Sequence, residues 1–152
     1  MNPLNPLSVD ELSQLLNRLL EAERAGARTL AAFLDEYAPQ SPAWQELRRV
    51  RHDEASNCKL LIDALHSLGA APSGATGDFL GKALAVQGQA ARLAFLNRGQ
   101  SWVARKIAEA LPRISPGPLH QMLQQMHDSH LLNIAACAAL LEGGAERGAP
   151  PA

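Results

Sequence analysis

Three ionisable side chains occupy positions in the sequence where the helical pattern predicts apolar residues. Glu23 lies four residues after Leu19 and seven before Leu30, at the centre of one apolar stripe. Glu54 and His130 are central in the apolar stripes of two further predicted helices. Residues at this spacing share the buried face of a helix. An unpaired charge is costly to bury, so such groups neutralise, pair with one another or bind a metal ion.

A single divalent ion is one interpretation of this pattern. Three ligands that combine nitrogen and oxygen atoms could hold one divalent ion with open positions, as the facial triad of mononuclear non-haem iron sites does. The sequence therefore predicts an iron or manganese ion bound by Glu23, Glu54 and His130, with His127 one turn earlier as a further ligand. Three asparagines on the same faces are candidates to hydrogen-bond these ligands: Asn57, Asn97 and Asn133. A dinuclear site is not expected, because the corresponding face of the third helix carries no carboxylate.

The alternative is that no cofactor is present. The same side chains can form a buried glutamate–histidine pair that fixes the register of the helices without a metal. One candidate function is thus a metal-binding domain, and the other is a helical module that works by dimerising or docking. The sequence has no phosphate-binding loop, CxxC motif or Ser–His–Asp arrangement, which excludes the most common enzyme classes and leaves catalysis open.

The composition predicts an all-α protein. The sequence has 27 Ala and 25 Leu but only four Val and four Ile, and aromatic residues make up 4%. Ala and Leu favour helices, whereas β-branched and aromatic residues favour strands. A net charge of −1 argues against nucleic acid as a partner, and the lack of a long apolar run argues against a membrane. Two cysteines form no disulfide framework, so the cytoplasm is the predicted location.

The ten prolines divide the chain into four predicted helices, since proline is excluded from helix interiors. Ser8 with Glu11 is typical of a capping box, and Ser41 followed by Pro42 is typical of a helix start. The predicted helices cover residues 9–37, 42–68, 78–111 and 118–141.

These helices are expected to form a single domain, residues 9–142, between disordered segments at 1–8 and 143–152. The first and third connections are short, whereas the middle one, from Gly69 to Gly77, is longer. This order is typical of an antiparallel four-helix bundle with one crossover, the ferritin-like arrangement. Such a connection spans at most ~30 Å, against about 40 Å for the second helix, so a plain up-down-up-down bundle stays open.

Parts of the chain resemble ferritin-like proteins, whose bundles hold a dinuclear iron or manganese site. The resemblance to the first helix of bacterioferritins rests on the string LNRLLEAERA, with Glu23 in the place of a ligand. Glu54 matches the glutamate of the second-helix Glu-x-x-His motif, but Asn57 replaces the histidine. In the fourth helix His130 matches the histidine, and His127 stands where that family has glutamate. The resemblance therefore implies the fold and an incomplete metal site.

The whole chain from residue 8 to 141 also resembles an uncharacterised bacterial family of stand-alone ferritin-like domains. The most specific similarity lies in residues 92–103 and in the motif Ser129-His130-x-x-Asn133-Ile134. Because no activity is established for that family, the resemblance implies the fold more than the function.

The predicted third helix carries a second apolar strip, which includes Leu84, Phe95 and Trp102. Soluble monomers rarely expose such a patch, so we expect a two-fold homodimer that uses this strip. The alternative is that the connection before this helix, or a tail, folds over the strip. Gly99 within the same helix indicates a kink or a close helix contact.

Overall fold

The computed structural model describes residues 5–147, with side chains described as far as residue 143. Over this range the regular elements are all helical and no β-strand is present, which confirms the all-α prediction. The elements are α1 (Val9–Leu34), α2 (Pro42–Ser67), α3 (Phe79–Ala85), α4 (Gln89–Ala110), a 3₁₀ turn (Leu111–Arg113) and α5 (Pro118–Arg147). None of the described helices combines the length and apolar character needed to cross a membrane.

The starts of α1 and α2 confirm the capping signals. The Ser8 hydroxyl accepts a hydrogen bond from the backbone N–H of Glu11, and the Glu11 carboxylate accepts one from the Ser8 N–H. Ser41 caps α2 by accepting a hydrogen bond from the backbone N–H of Trp44, and Pro42 is the first helical residue. The N–H that proline lacks has no helical partner at this position, so its loss has little effect.

The predicted third helix, 78–111, is in fact two helices, and the prediction of one continuous helix was wrong. Val86 has an extended backbone, with φ −69° and ψ 133°, and Gly88 has a φ of 95°. A positive φ is readily adopted only by glycine, so Gly88 permits the break. As a result α3 belongs to a long connection between α2 and α4.

This α2–α4 connection, residues 68–88, follows α1 along its length. Near the first half of α1, the Asn17 amide donates a hydrogen bond to the carbonyl of Ala71 at 3.2 Å. Beyond the end of α1, the Gln89 side chain donates one to the carbonyl of Glu36 at 2.8 Å. The short helix α3 therefore supplies length that the predicted connection from 69 to 77 lacks.

Two hydrophobic clusters lie on either side of a layer of buried polar residues. α1 packs mainly against α2, and α4 packs mainly against α5. The first cluster includes Leu16 and Ile107, and the second includes Phe33 and Val50. Along α1, Glu23 lies between the residues of the first cluster and those of the second. The apolar clusters thus fix the position of the polar layer.

At the N-terminal end of the described residues, the segment before α1 is hydrogen-bonded to the turn after α4. The Leu7 N–H donates a hydrogen bond to the carbonyl of Arg113 at 3.0 Å, and the Arg113 side chain donates one to the carbonyl of Asn5 at 2.8 Å. Helix α1 ends before the predicted residue 37, and α5 continues past the predicted end at 141. The disorder predicted for the outermost residues, 1–4 and 148–152, lies outside the described residues.

Candidate functional site

Glu23 on α1 and His130 on α5 meet in the buried polar layer. The Glu23 side chain is fully buried, and that of His130 is 1% exposed. His130 Nε2 is hydrogen-bonded to Glu23 Oε1, and Asn57 on α2 donates a hydrogen bond to Glu23 Oε2 at 3.3 Å. The structure therefore brings together two of the predicted ligands and one of the three predicted supporting asparagines.

Glu54 on α2 lies in the same layer, against the backbone of α1 at Gly26. A Cβ added to Gly26 would lie 2.7 Å from Glu54 Oε1 and 2.9 Å from Cδ, so glycine leaves room for this carboxyl. Among the described side chains, Glu54 Oε2 has no hydrogen-bond partner. Burial, followed by the negative charges of Glu23 and Asp53, raises the pKa of Glu54 well above its usual 4.5. The protonated carboxylic acid, which can both donate and accept, is thus favoured.

Two of the predicted supporting residues hold helices together instead. Asn133 is buried, and its side-chain oxygen accepts a hydrogen bond from Arg49 of α2 at 3.0 Å. Its amide nitrogen donates one to Asp53 at 3.3 Å. Asn97 on α4 donates a hydrogen bond to the carbonyl of Ile134 on α5 at 3.2 Å. These contacts join α5 to α2 and to α4, and they are not contacts to the predicted metal ligands.

The predicted fourth ligand, His127 on α5, has a partly buried side chain that is 18% exposed. Its ring Nδ1 is hydrogen-bonded to the carboxylate of Asp128 at 3.2 Å, and the Asp128 side chain is 63% exposed. Within the residues that the structure describes, no three His, Cys, Asp or Glu side chains form a set that could hold a metal ion. Glu23 and His130 are instead bonded to each other, so the metal site stays a prediction.

Gln100 on α4 is a buried polar residue that the sequence analysis missed. Its side chain is 2% exposed, and its amide nitrogen donates to Asn97 Oδ1 at 3.2 Å and to Cys137 Sγ at 3.5 Å. In the described part of the chain, Gln100 Oε1 has no partner. A signal existed, because Gln100 lies three residues after Asn97 and four before Ala104 on the core face of the helix.

A cavity of about 390 Å³ lies beside the polar layer, between α1, α4 and the α2–α4 connection. Glu54 and Gln100 are the buried polar residues among those that line it, and each has a side-chain oxygen with no hydrogen-bond partner in the described part of the chain; we call these two atoms, Glu54 Oε2 and Gln100 Oε1, the floor oxygens. Phe79, Phe95 and Trp102 form an aromatic wall. Three exposed residues lie at its rim: Gly77, Asp78 and Arg98. This mostly apolar space with a few polar groups at one end suits a small organic molecule.

The second apolar strip is partly covered by the chain itself. Phe79 of α3 stacks on Phe95, with the ring centroids 5.0 Å apart. The guanidinium of Arg18 lies 5.5 Å from the centroid of the Trp102 ring, while Leu84 is 38% exposed. Phe79 belongs to the range predicted as the third helix, 78–111, and not to the predicted connection before it, so the alternative that the connection or a tail covers the strip stays a prediction. The homodimer stays a prediction.

The chain matches a protein family described as a domain of unknown function, DUF6306, over residues 10–139. The matched region includes the buried polar layer and the residues named above as lining the cavity. No curated protein and no solved structure matches the chain. Since the match covers most of the sequence, the chain belongs to the DUF6306 family.

Proposed function

We propose that this domain binds a small, largely apolar molecule in the cavity between α1, α4 and the α2–α4 connection. The observation that carries the proposal is an aromatic wall that ends at two buried polar side chains, Glu54 and Gln100. The volume, about 390 Å³, lies within the range of roughly 300–1,000 Å³ found for small-molecule sites.

The floor oxygens give the proposal an energetic basis. A buried polar atom without a hydrogen bond destabilises a protein by about 1–3 kcal/mol. Apolar side chains in place of Glu54 and Gln100 would remove this cost, and a buried polar group without a protein partner is explained by strain, by a chemical role or by a bound water, ion or ligand. A bound molecule that hydrogen-bonds to these two residues offsets the cost, which gives a physical reason for polar residues at these positions.

The test uses Prodan, an uncharged naphthalene ketone whose fluorescence shifts to the blue in apolar surroundings. We expect the wild-type protein to bind one equivalent with a blue shift. Ala22 is half-buried and lines the cavity, so Ala22→Leu should fill part of the space and weaken binding by about tenfold or more. The control is Ala55→Leu, the same change at an exposed position of α2, which should bind as the wild type does. Binding that Ala22→Leu leaves unchanged would contradict the proposal.

We also propose that the four long helices form an antiparallel bundle with a ferritin-like crossover. Two contacts support this arrangement. Leu7, just before α1, bonds to Arg113, just after α4, and Gln89 at the start of α4 bonds to Glu36, just after α1. Spin labels at residues 36 and 89, with both native cysteines replaced, should therefore lie closer together than labels at 36 and 113. The opposite order would support the up-down-up-down alternative.

A second candidate function is the binding of one divalent ion, iron or manganese, by Glu23, Glu54 and His130. His130 Nδ1, like Glu54 Oε2, has no hydrogen-bond partner among the described residues, and both are ligand types for such ions. Binding would require Glu23 and His130 to exchange their mutual hydrogen bond for the ion, with Glu54 turned toward it.

Elemental analysis tests the metal candidate on untagged protein that has been incubated with iron(II) or manganese(II) and then desalted. The wild type should retain one equivalent, and Glu54→Gln should lose it because the amide cannot carry a negative charge. Equal metal content in the two proteins, or none in the wild type, would overturn this candidate.

A further inference from the structure

The floor of the cavity also indicates the chemical class of the ligand, an inference that rests on the proposed function. Gln100 Oε1 accepts hydrogen bonds, and Glu54 accepts at both of its oxygens once the carboxyl group is ionised. The amide nitrogen of Gln100 already donates to Asn97 and Cys137, so the amide oxygen is the atom left for a ligand. A ligand group that carries only donors therefore suits this floor best, and an ammonium group is such a group.

The charges around the cavity favour a cation in the same way. Three of the residues that line it are acidic, Glu21, Glu54 and Asp78, and the guanidinium of Arg98 is the positive group among the lining residues. A positively charged ligand group beside Glu54 would favour the ionised form of its carboxyl group, whereas an anionic group would be repelled.

The aromatic wall suits the rest of such a ligand. The stacked rings of Phe79 and Phe95 offer an apolar surface on which a second ring or an alkyl chain can pack. Cations already lie against this wall, because the guanidinium of Arg98 is 5.6 Å from the Phe95 centroid and that of Arg18 is 5.5 Å from the Trp102 centroid. Aromatic faces attract cations through the negative charge density of the ring.

We propose that the cavity binds a primary amine with an apolar, aromatic body. Its ammonium group donates hydrogen bonds to Glu54 and Gln100, and its body packs against Phe79 and Phe95. No covalent step is involved, and the ligand stays a cation in the complex.

The experiment compares three molecules that share one body and differ only in the head group: phenylpropylamine, phenylpropanol and phenylpropionate. In isothermal titration calorimetry the amine should bind at one site, about tenfold or more tightly than the alcohol, and the carboxylate should bind most weakly. The chain has two tryptophans. In a Trp44→Phe background the fluorescence therefore reports on Trp102 in the cavity wall, and it should change when the amine binds.

A pair of variants tests the role of the carboxylate. Glu54→Gln keeps the shape of the side chain but cannot ionise when the ammonium group binds, so the affinity for the amine should fall by about tenfold or more while that for the alcohol changes little. The matched control is Asp63→Asn, an exposed acid on the same helix, which should leave both affinities unchanged. If circular dichroism indicates that Glu54→Gln is unfolded, Gln100→Met removes the other acceptor and should also weaken binding of the amine.

Equal affinities for the amine and the alcohol would overturn the amine assignment, as would an unchanged affinity for the amine in a folded Glu54→Gln protein. If Prodan binds and none of the three phenyl compounds does, the amine assignment fails and the binding function stands. If Prodan does not bind either, both fail.

Discussion

Replacement of Glu54 by glutamine should change how the stability of the protein depends on pH. The Glu54 side chain is 3% exposed. Burial, followed by the charges of Glu23 and Asp53, raises its pKa well above the usual 4.5. Glutamine has nearly the shape of a protonated glutamate but cannot ionise, so the Glu54→Gln variant isolates the effect of ionisation on the free energy of unfolding.

The sign and the size follow from the proton balance of Glu54. The unfolded chain releases this proton near pH 4.5, whereas the folded protein keeps it to a higher pH. Between these two values the folded state binds more protons, so the free energy of unfolding falls as the pH rises. The stabilisation by this group is complete below the unfolded pKa and is lost as the pH rises through the folded pKa. One such group contributes a slope of at most about 1.4 kcal/mol per pH unit.

Urea unfolding followed by circular dichroism, repeated between about pH 5 and pH 8, measures this slope. The difference in free energy of unfolding, Glu54→Gln minus wild type, should increase with pH by up to about 1.4 kcal/mol per unit. The subtraction removes the contribution of the histidines, which both proteins share. For the exposed acid on α2, Asp63→Asn, the same difference should stay flat. A flat or falling difference for Glu54→Gln would refute the argument.

Three further predictions concern packing, pairing and association. His130→Leu should destabilise the protein by about 3 kcal/mol or more in urea unfolding because it leaves Glu23 buried without its main partner. The double variant Glu23→Met/His130→Leu should recover much of this loss, and a double variant as unstable as His130→Leu would contradict the prediction. The Gly26→Ala variant should be less stable than Gly81→Ala by about 1 kcal/mol or more. A Cβ at position 26 meets the Glu54 carboxyl, whereas one at position 81 meets nothing within 4 Å. Equal stabilities of the two variants would refute the close contact. Sedimentation at tens of micromolar should detect a homodimer that Trp102→Glu shifts toward monomer, and a monomeric wild type would rule the dimer out.

The helices could be predicted where their limits depend on local contacts. The caps at Ser8 and Ser41 bond to backbone groups three residues away, so the sequence nearby is enough to specify them. The break at Gly88 depends on more distant contacts. Arg92 of α4 donates hydrogen bonds to the carbonyls of Leu84 and Val86 and so holds the end of α3 in place. A lone glycine in a helical stretch does not reveal such contacts.

The candidate site could be predicted to the extent that helical periodicity gives the depth of a residue. Periodicity placed Glu23, Glu54 and His130 in the interior, and all three are buried. Periodicity does not specify which neighbour a buried side chain meets. Asn133 was predicted beside the ligands, but it bonds to Arg49 instead.

The cavity could not be predicted, because its wall depends on the path of the α2–α4 connection. Gly99 gave a partial signal, since a kink or a close helix contact was predicted there. A Cβ added to Gly99 would lie 2.9 Å from the ring of Phe79, so the contact is with the short helix that the sequence analysis did not anticipate.

The cavity is lined by two kinds of segment, long helices and an irregular connection. Its buried end, with Glu54 and Gln100, belongs to long helices whose residues also form the core. Its entrance includes Gly77 and Asp78 of the irregular α2–α4 connection, both exposed. Surface connections tolerate substitutions and insertions far better than core helices. Substitutions or insertions in this connection can therefore change the size and shape of the entrance while Glu54 and Gln100 stay in place, so that the same helices could serve the proposed binding of different ligands without loss of folding.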